Sequence, residues 1–461
     1  MAVLTFLQDI LSEASILVGL LALVGLLAAR ATVAQVVTGT LKTIIGFLIL
    51  GGGAGILIGA LDPLGAMIEQ GLGLQGVVPT NEAVVALAQD AFGAETAGIM
   101  GLAFVVNLAL ARLTRLRYVF LTGHHVFFMS ALAAVTLGVA GIESWQQFVI
   151  GSLIVGSLMV LLPALAMPFV RRITGGEDIA IGHFGTLGYL ASGLVASAVG
   201  NPEKSTEDFE VPKGLSFFRD SLVSTAVAML AVYLVFTVIA GPAAVSEIAG
   251  DTNPWVFALM QALTFAAGVW IILVGVRMII GEIVPAFEGV SDKLIPNAVP
   301  ALDVPIVFPY APTAVIIGFG ASIVGGLVSM TVLGPLGLAL IIPGMVPHFF
   351  TGAGAGVFGN AMGGRVGAVL GGFVNGLLIT FLPAFLLQFL GDLGVANTTF
   401  GDTDFSVVGI ATGYAADFGV AVAWIWALVL VAAAFALGIA FPKLRPNYLE
   451  ESDAKNTSAS V

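Results

Sequence analysis

The chain has 461 residues, of which 58% are hydrophobic and only 10% are charged, and its mean hydropathy is +1.07. A soluble globular protein carries about 25% charged residues, and no soluble fold has enough interior to bury this much apolar surface. The composition therefore predicts an all-α integral membrane protein. The chain has no cysteine, which excludes a disulfide framework, a thiolate metal site and a cysteine nucleophile.

Long apolar stretches recur along the whole chain. A transmembrane helix needs about 20 mostly apolar residues to cross the hydrocarbon core. We predict about eleven such helices. In chain order they lie near 14–29, 43–61, 97–111, 118–141, 147–170, 221–240, 256–276, 313–334, 335–355, 366–390 and 418–440.

The distribution of basic residues orients these spans. When the eleven spans alternate across the bilayer, all 16 Lys and Arg residues fall on one side, and the loops on the other side are acidic or neutral. Basic residues concentrate in cytoplasmic loops. We therefore predict a multi-pass protein of the cell membrane with its N-terminus outside and its C-terminus in the cytoplasm. The membrane domain should cover 1–448, and the polar segment 449–461 should be a disordered cytoplasmic tail.

Two segments of the chain resemble each other at a constant interval. "IGALDPLGAM" at 58–67 and "IGEIVPAFEG" at 280–289 share Ile, Gly and Pro at an interval of 222 residues, and the same interval aligns Asn81 with Asp303. The charge pattern gives the two copies opposite orientations, so we predict two inverted repeats, roughly 39–200 and 256–410. Inverted repeats are frequent in transporters, where they meet at a substrate site. Coincidence in a glycine-rich apolar sequence is the alternative.

Three stretches contain polar residues and helix-breaking residues inside the predicted membrane region. Residues 295–312 carry five prolines around Asp303, so they cannot form one straight span. Residues 180–193 are apolar, contain several glycines and His183, and are too short to cross, which favours a re-entrant hairpin. Residues 77–89 place Asn81 and Glu82 ahead of a short amphipathic run. Non-helical backbone at membrane depth occurs where protein or water shields it.

Two of the four histidines are adjacent in "LTGHHVFF", where His124 and His125 open an apolar run. A neutral imidazole offers one donor and one acceptor, which suits a polyol or an enediol. Polar groups inside a membrane usually serve function. The alternatives are a structural histidine pair, a core role for His183, and a structural Asp303 that pairs with Arg277. His348, in "GMVPHFF", is expected to be structural.

Several motifs in the same order resemble those of the ascorbate-type enzyme IIC family of the phosphotransferase system (PTS). They are "GTLKTIIGFLILGGGAGIL", "LTGHH", "IAIGHFGTLGY", "GVRMIIGEIVPAFEGVSDKLIPNAVPALD", "FPYAPTAVIIGF" and "IIPGMVPHFFTGAGAGVFGNAMGG". The resemblance implies a homodimeric permease of eleven spans, with a V-shaped dimerising part and a core part that carries the substrate. It implies that L-ascorbate enters and leaves as its 6-phosphate. The phosphoryl group would come from a cysteine of a separate enzyme IIB. That cysteine would receive the phosphoryl group from enzyme IIA.

The resemblance also implies the ligand contacts. They are Asn81, Glu82, His124, His125, Val126, Phe127, Phe128, His183, Phe184 and Asp303. Familiar members carry glutamines where Phe128, Met129 and Phe184 stand, so a related sugar acid or polyol remains open as the substrate. We expect Asp303 to be the catalytic proton acceptor.

No cofactor, metal or nucleic acid is expected. A rival hypothesis is a proton-coupled secondary transporter of a small polyol or organic anion, with Glu82 or Asp303 as its proton site. A passive channel is a third possibility, and it would show no saturable uptake.

Overall fold

The fold is described from a computed structural model. It describes residues 14–28, 30–72, 77–79, 81–177, 179–208, 221–291, 295, 298–341, 343–391 and 398–446. Helices dominate these ranges, which confirms the all-α membrane class. The predicted tail 449–461 lies outside the described residues.

The helices are numbered in chain order. They are α1 Ala14–Ala28, α2 Val33–Leu72, α3 Asn81–Leu113, α4 Gly123–Val139, α5 Ser144–Thr174, α6 Thr186–Val199, α7 Ser221–Ala240, α8 Pro242–Ala249, α9 Pro254–Ser291, α10 Pro312–Leu333, α11 Met345–Phe381, α12 Pro383–Leu386, α13 Thr403–Asp417 and α14 Val420–Ala440. Short 3₁₀ helices cover Thr206–Asp208, Val304–Tyr310, Leu387–Phe389 and Pro442–Leu444.

Five helical segments within the described ranges are long and apolar enough to cross a bilayer, or six if the bent pair Met229–Ala240 and Pro242–Ala249 counts as one span. The five are Ala91–Leu113, Ser144–Thr174, Pro312–Leu333, Val346–Phe389 and Val420–Ala440. The predicted stretches 43–61 and 256–276 lie within the longer helices α2 and α9. The total of eleven spans stays a prediction.

The predicted span 118–141 does not begin as a helix. Residues Tyr118–Phe120 form a strand, and the helix that follows starts at Gly123. The buried side chain of Asn107 holds the strand, since its amide nitrogen donates to Tyr118 O at 3.2 Å and its oxygen accepts from Phe120 N at 3.2 Å. The apolar composition of the segment could not distinguish a buried strand from the first turn of a helix.

Helix α11 is a helical hairpin whose two legs are 345–363 and 365–381. Gly364 interrupts it with φ 62° and ψ −148°. Asn375 Nδ2 donates to Thr351 Oγ1 at 2.8 Å, across an interval of 24 residues. An unbroken helix would separate those residues by about 36 Å along its axis, so the chain reverses at Gly364. The predicted span 335–355 becomes helical only from Met345, and its last part together with 366–390 supplies the two legs.

Three short parallel strands from distant parts of the chain form one sheet. They are β2 Tyr118–Phe120, β3 Ala180–Ile181 and β4 Val299–Leu302, and β4 lies at the centre. Ala301 pairs with Phe120 on one side and with Ala180 on the other. Since the strands are parallel, their carboxyl ends lie at one edge of the sheet.

A second parallel sheet joins β1 Val78–Pro79 to β5 Thr398–Thr399, and an isolated bridge pairs Val77 with Ile341. Strands β1 and β4 lie at the interval of 222 residues that the sequence repeat shows. Strand β4 has a parallel strand on either side, whereas β1 pairs with β5 and is preceded by the single bridge from Val77 to Ile341. This pattern agrees with a duplication, whose boundaries stay predicted.

The helices form two groups that pack mostly within themselves. Helices α1, α2, α7, α8 and α9 pack on one another, with α2 along α9 as the largest contact. In the second group α10 packs on α11, α11 on α6, α3 on α4 and α5, and α14 on α5. Both sheets connect elements of the second group, so the polar residues at the strand ends are held there.

Candidate functional site

The carboxyl edge of the three-stranded sheet gathers titratable side chains. Asp303 follows β4 directly, and His183 lies two residues beyond β3. His124 and His125 lie in the first turn of α4, just after β2. Because parallel strands end at the same edge, residues from three distant parts of the chain meet there, in the way that ligand sites form at strand ends in parallel sheets.

The Asp303 carboxylate lies between two imidazoles. Its Oδ2 is 3.5 Å from His124 Nε2, and its Oδ1 is 3.8 Å from His183 Nε2. The ring centroid of His125 lies 3.9 Å from the ring centroid of His183 and 4.7 Å from that of His124. The side chains of His124 and Asp303 are 32% and 15% exposed, whereas that of His183 is 3% exposed. The cluster is therefore accessible on the side of His124 and Asp303.

The second sheet contributes residues to the same cluster. Asn81 follows β1, and its Nδ2 donates to Asp402 Oδ2 at 3.4 Å. Gly401 N donates to Asn81 Oδ1 at 2.8 Å. The nearest ligand atoms of Asp402, His125 and His183 all lie within 4.8 Å of one another. The carboxyl ends of the two sheets thus meet at one polar centre.

The loop between β3 and α6 contacts both buried histidines through its backbone. Phe184 N donates to His125 Nδ1 at 3.4 Å, and Gly185 N donates to His183 Nδ1 at 2.9 Å. The Tyr189 hydroxyl lies 3.0 Å from the same His183 nitrogen. Thr186 Oγ1 donates to His183 O at 2.6 Å. These bonds set the orientation of each ring.

Aromatic rings surround the polar centre. His125 stacks on Phe405 with centroids 5.8 Å apart and an interplanar angle of 6°. Phe184 is fully buried and packs on Phe120 at 5.1 Å and on Phe405 at 5.6 Å. Phe128 contacts His124 edge-on at 5.8 Å. An aromatic wall lowers the local dielectric constant, which strengthens the hydrogen bonds made beside it.

The structure brings most of the predicted contact residues together. Asn81, His124, His125, His183 and Asp303 form the polar centre, and Phe128 and Phe184 belong to its wall. Val126 is completely buried in the apolar core.

Two of the predicted contact residues, Phe127 and Glu82, have no described contact with the polar centre. Phe127 is half-buried and packs on Phe128 at 6.2 Å. Glu82 opens α3 with Asn81, but its side chain lies outside the described ones. His348 is structural as expected, since its ring contacts Ser322 Oγ at 2.8 Å and Thr380 Oγ1 at 3.2 Å.

The alternative partner for Asp303, Arg277, has a side chain outside the described ones. Among the described side chains, the imidazoles of His124, His183 and His125 lie close to the Asp303 carboxylate. The ion pair with Arg277 stays an untested alternative, and the described contacts of Asp303 are with the histidine cluster.

Sequence reasoning missed two buried carboxylates, Asp402 and Asp404, and the helix α13 at whose start they lie. The predicted spans leave 391–417 unassigned. The signal was present in "GDTDF" at 401–405, where two acidic residues precede a largely apolar run. Acidic residues inside a membrane segment are rare and usually functional.

Two sets of side chains could in geometry share a cation. They are His124, His125 and Asp303, and His125, His183 and Asp402. Geometry alone does not decide between a cation and a hydrogen-bonded ligand, because a histidine ligates a metal only through a nitrogen with a free lone pair.

The fold and this centre define a multi-pass integral membrane protein that holds polar groups where broken helices and short strands meet, as permeases do. Residues 9–404 match the family model of the PTS system sugar-specific permease component, EIIC-GAT, so the chain belongs to that family. This match confirms the family resemblance of the motifs.

A relative from Mycoplasma pneumoniae is named "Ascorbate-specific PTS system EIIC component". It is 26% identical over 410 residues, which cover 77% of this chain and 62% of that protein. The chain thus matches somewhat less than two thirds of the relative's length.

Proposed function

We propose that this chain is the substrate-translocating subunit of a phosphoenolpyruvate-dependent phosphotransferase system that imports L-ascorbate or a closely related sugar acid or polyol. The observation that carries the proposal is the Asp303 carboxylate between the Nε2 atoms of His124 and His183. Carboxylates accept hydrogen bonds from hydroxyl groups, and imidazoles can donate to ring oxygens. The name of the relative supports the choice of ascorbate.

The contacts between the two imidazoles and Asp303 are long, so a ligand hydroxyl group could bridge them. The separations of 3.5 and 3.8 Å between imidazole nitrogens and Asp303 oxygens exceed those of strong hydrogen bonds. A hydroxyl group that bridges these atoms would gain charge-assisted hydrogen bonds, each worth about 1.5–3 kcal/mol. Asn81 and Asp402 would engage the opposite side of the same ligand.

The phosphoryl donor is proposed to be the phosphocysteine of a cytoplasmic enzyme IIB, and enzyme IIA transfers the phosphoryl group to that cysteine. A substrate hydroxyl oxygen attacks phosphorus, the phosphorus–sulfur bond breaks, and the cysteine leaves as a thiolate. The hydroxyl proton passes to a base, for which we propose Asp303, the partly accessible carboxylate of the centre. The charged product binds poorly beside a carboxylate, which favours its release.

The architecture of the complete protein is proposed on the same basis. The charge distribution supports an external N-terminus and a cytoplasmic C-terminus. Two inverted repeats, near 39–200 and 256–410, are supported by the shared interval between β1 and β4. The separate packing of α1, α2, α7, α8 and α9 supports a dimerising part beside a core part, and hence a homodimer.

Uptake into vesicles tests the function. Vesicles that contain this chain, enzyme IIA, enzyme IIB and the general phosphoryl carriers that link them to phosphoenolpyruvate should accumulate labelled ascorbate 6-phosphate only when phosphoenolpyruvate is supplied. Asp303→Asn should reduce phosphorylating uptake by about 10- to 100-fold, since one charge-assisted hydrogen bond and the proton acceptor are lost. Asp251→Asn, at an exposed acidic position, is the matched control and should retain uptake.

Three outcomes would contradict the proposal. Full phosphorylating uptake by Asp303→Asn would remove Asp303 from the mechanism. Uptake that needs no phosphoenolpyruvate and collapses with an uncoupler would establish the proton-coupled transporter instead. Uptake that never saturates would establish a passive channel.

A further inference from the structure

Two backbone amides contact the buried histidines of the centre, and a buried carboxylate holds the loop that carries them. We propose that the N–H groups of Phe184 and Gly185 fix His125 and His183 as neutral, Nε2-protonated tautomers, and that Asp404 is the positioning residue that maintains this state. The centre is then an array of hydrogen-bond donors and carboxylates for a hydroxylated ligand and not a metal site. The identity of that ligand rests on the proposed function, but the tautomers do not.

The tautomers follow from the donors. A backbone N–H can only donate, so the nitrogen it contacts must offer a lone pair. Phe184 N contacts Nδ1 of His125 at 3.4 Å, and Gly185 N contacts Nδ1 of His183 at 2.9 Å. A neutral imidazole carries one proton, which must then lie on Nε2. The imidazolium form is excluded in the same way, because it has no acceptor.

The orientation of the protonated nitrogens matters for recognition. His183 Nε2 lies 3.8 Å from Asp303 Oδ1, so its N–H faces the accessible part of the centre. The Tyr189 hydroxyl adds a second contact to Nδ1 of the same ring, 3.0 Å away, on the side opposite to Nε2. A ligand oxygen therefore meets an imidazole donor and a carboxylate acceptor side by side. A hydroxyl group satisfies both, because it accepts and donates at once.

The same tautomers oppose metal binding. A protonated Nε2 has no lone pair, and the lone pair of each Nδ1 is already used. His125 and His183 could ligate a metal only after they lost a proton or an amide bond. His124, Asp303 and Asp402 would remain, whereas most zinc sites require several histidine or cysteine ligands. The proximity of these side chains, within 4.8 Å, is thus compatible with a hydrogen-bonded ligand.

Asp404 holds the loop from the other side. It is completely buried, and its Oδ2 and Oδ1 accept from Thr186 N at 2.9 Å and from Leu187 N at 2.8 Å. Its own N–H donates to Phe184 O at 3.0 Å. The carboxylate caps the N-terminus of α6 and so fixes the two amides just before it. Asp404 thus acts on the histidines only through the loop.

Nitrogen NMR tests the proposal directly. The full chain is labelled with ¹⁵N-histidine and reconstituted in bilayers, and each of its four histidines is assigned with a single substitution. His125 and His183 should show an unprotonated Nδ1 and a protonated Nε2. In Asp404→Asn the side-chain NH₂ group faces one of the two backbone N–H groups, so one hydrogen bond to the loop is lost. His183 should then populate both tautomers, and ascorbate affinity should fall about tenfold.

The matched control is Asp417→Asn, at the exposed end of the same helix α13. It should leave both the spectrum and the affinity unchanged. A protonated Nδ1 or an imidazolium at His183 in the parent protein would overturn the proposal, as would unchanged tautomers in Asp404→Asn.

Zinc titration provides a second measurement if Asp404→Asn does not fold. The parent protein should show no saturable zinc binding at the centre by calorimetry, and micromolar binding that His183→Ala abolishes would overturn the proposal. The experiment distinguishes failure of the proposed function from failure of the tautomer assignment. If labelled ascorbate does not bind while both histidines show the stated tautomers, the substrate assignment is wrong and the tautomer assignment stands.

Discussion

His124 is the most accessible imidazole of the centre, and its removal tests the site sharply. In His124→Ala the protein loses the nitrogen that lies 3.5 Å from Asp303 Oδ2. A hydrogen bond to a charged group contributes about 1.5–3 kcal/mol when it is buried and well formed. This contact is long and its histidine is 32% exposed, so a value near or below the lower end of that range applies. We expect a loss of about 1–2 kcal/mol, or about 5- to 30-fold in Kd.

The assay is equilibrium binding of labelled ascorbate to purified protein, with related sugar acids and polyols as competitors. His348→Gln is the control for a histidine outside the site, because the ring of His348 is buried and contacts Ser322 Oγ and Thr380 Oγ1 on α10 and α11. It should lower the melting temperature and change Kd by no more than about twofold. Equal Kd values for His124→Ala and the parent protein would refute the assignment of this histidine to the site.

Three further predictions concern the frame of the site. Asn81→Ala removes the acceptor of Gly401 N and a donor to Asp402, and should weaken ligand binding by about 1–3 kcal/mol, measured in the same binding assay; an unchanged Kd would show that the second sheet does not contribute. Gly364→Ala should destabilise the α11 hairpin by about 1–2 kcal/mol in thermal unfolding, because φ is 62° and a Cβ would clash with Lys204 O. Gly320→Ala, in α10 with open space around it, should be neutral or stabilising by up to about 1 kcal/mol, and a loss as large as that of Gly364→Ala would contradict the role of the positive φ.

The broken segments were predictable because their causes are local. Proline removes a backbone donor wherever it stands, so the five prolines around Asp303 exclude a straight span without any knowledge of the fold. The structure has a strand and a 3₁₀ helix there. The glycines of segment 180–193 predict a re-entrant hairpin, whereas the structure has a two-residue strand followed by the helix α6. Its pairing with β4 comes from a strand more than a hundred residues away, which no local pattern shows.

The hairpin in α11 shows the same limit. The sequence predicts two apolar spans, 335–355 and 366–390, and the reversal at Gly364 falls in the interval between them, but the start of the first span is wrong because the helix begins only at Met345. The reversal depends on Gly364 and on glycines that let the two legs approach closely. A glycine-rich run indicates close packing, but its partner is set by the tertiary fold.

The sequence by itself determined that this protein lies in a lipid bilayer and is helical. It also determined the family and most of the side chains that make the polar centre. Apolar length, charge distribution and motif order are properties of the chain, and they do not depend on how it folds. Only the tertiary structure decided that Asp402 joins the centre, that Asp404 holds the loop beside it, and which backbone amides contact the two buried histidines. These features depend on hydrogen bonds between residues 59 and 218 positions apart, which parallel strands bring to a common edge. Such bonds depend on three-dimensional proximity, for which the order of residues carries no local signal.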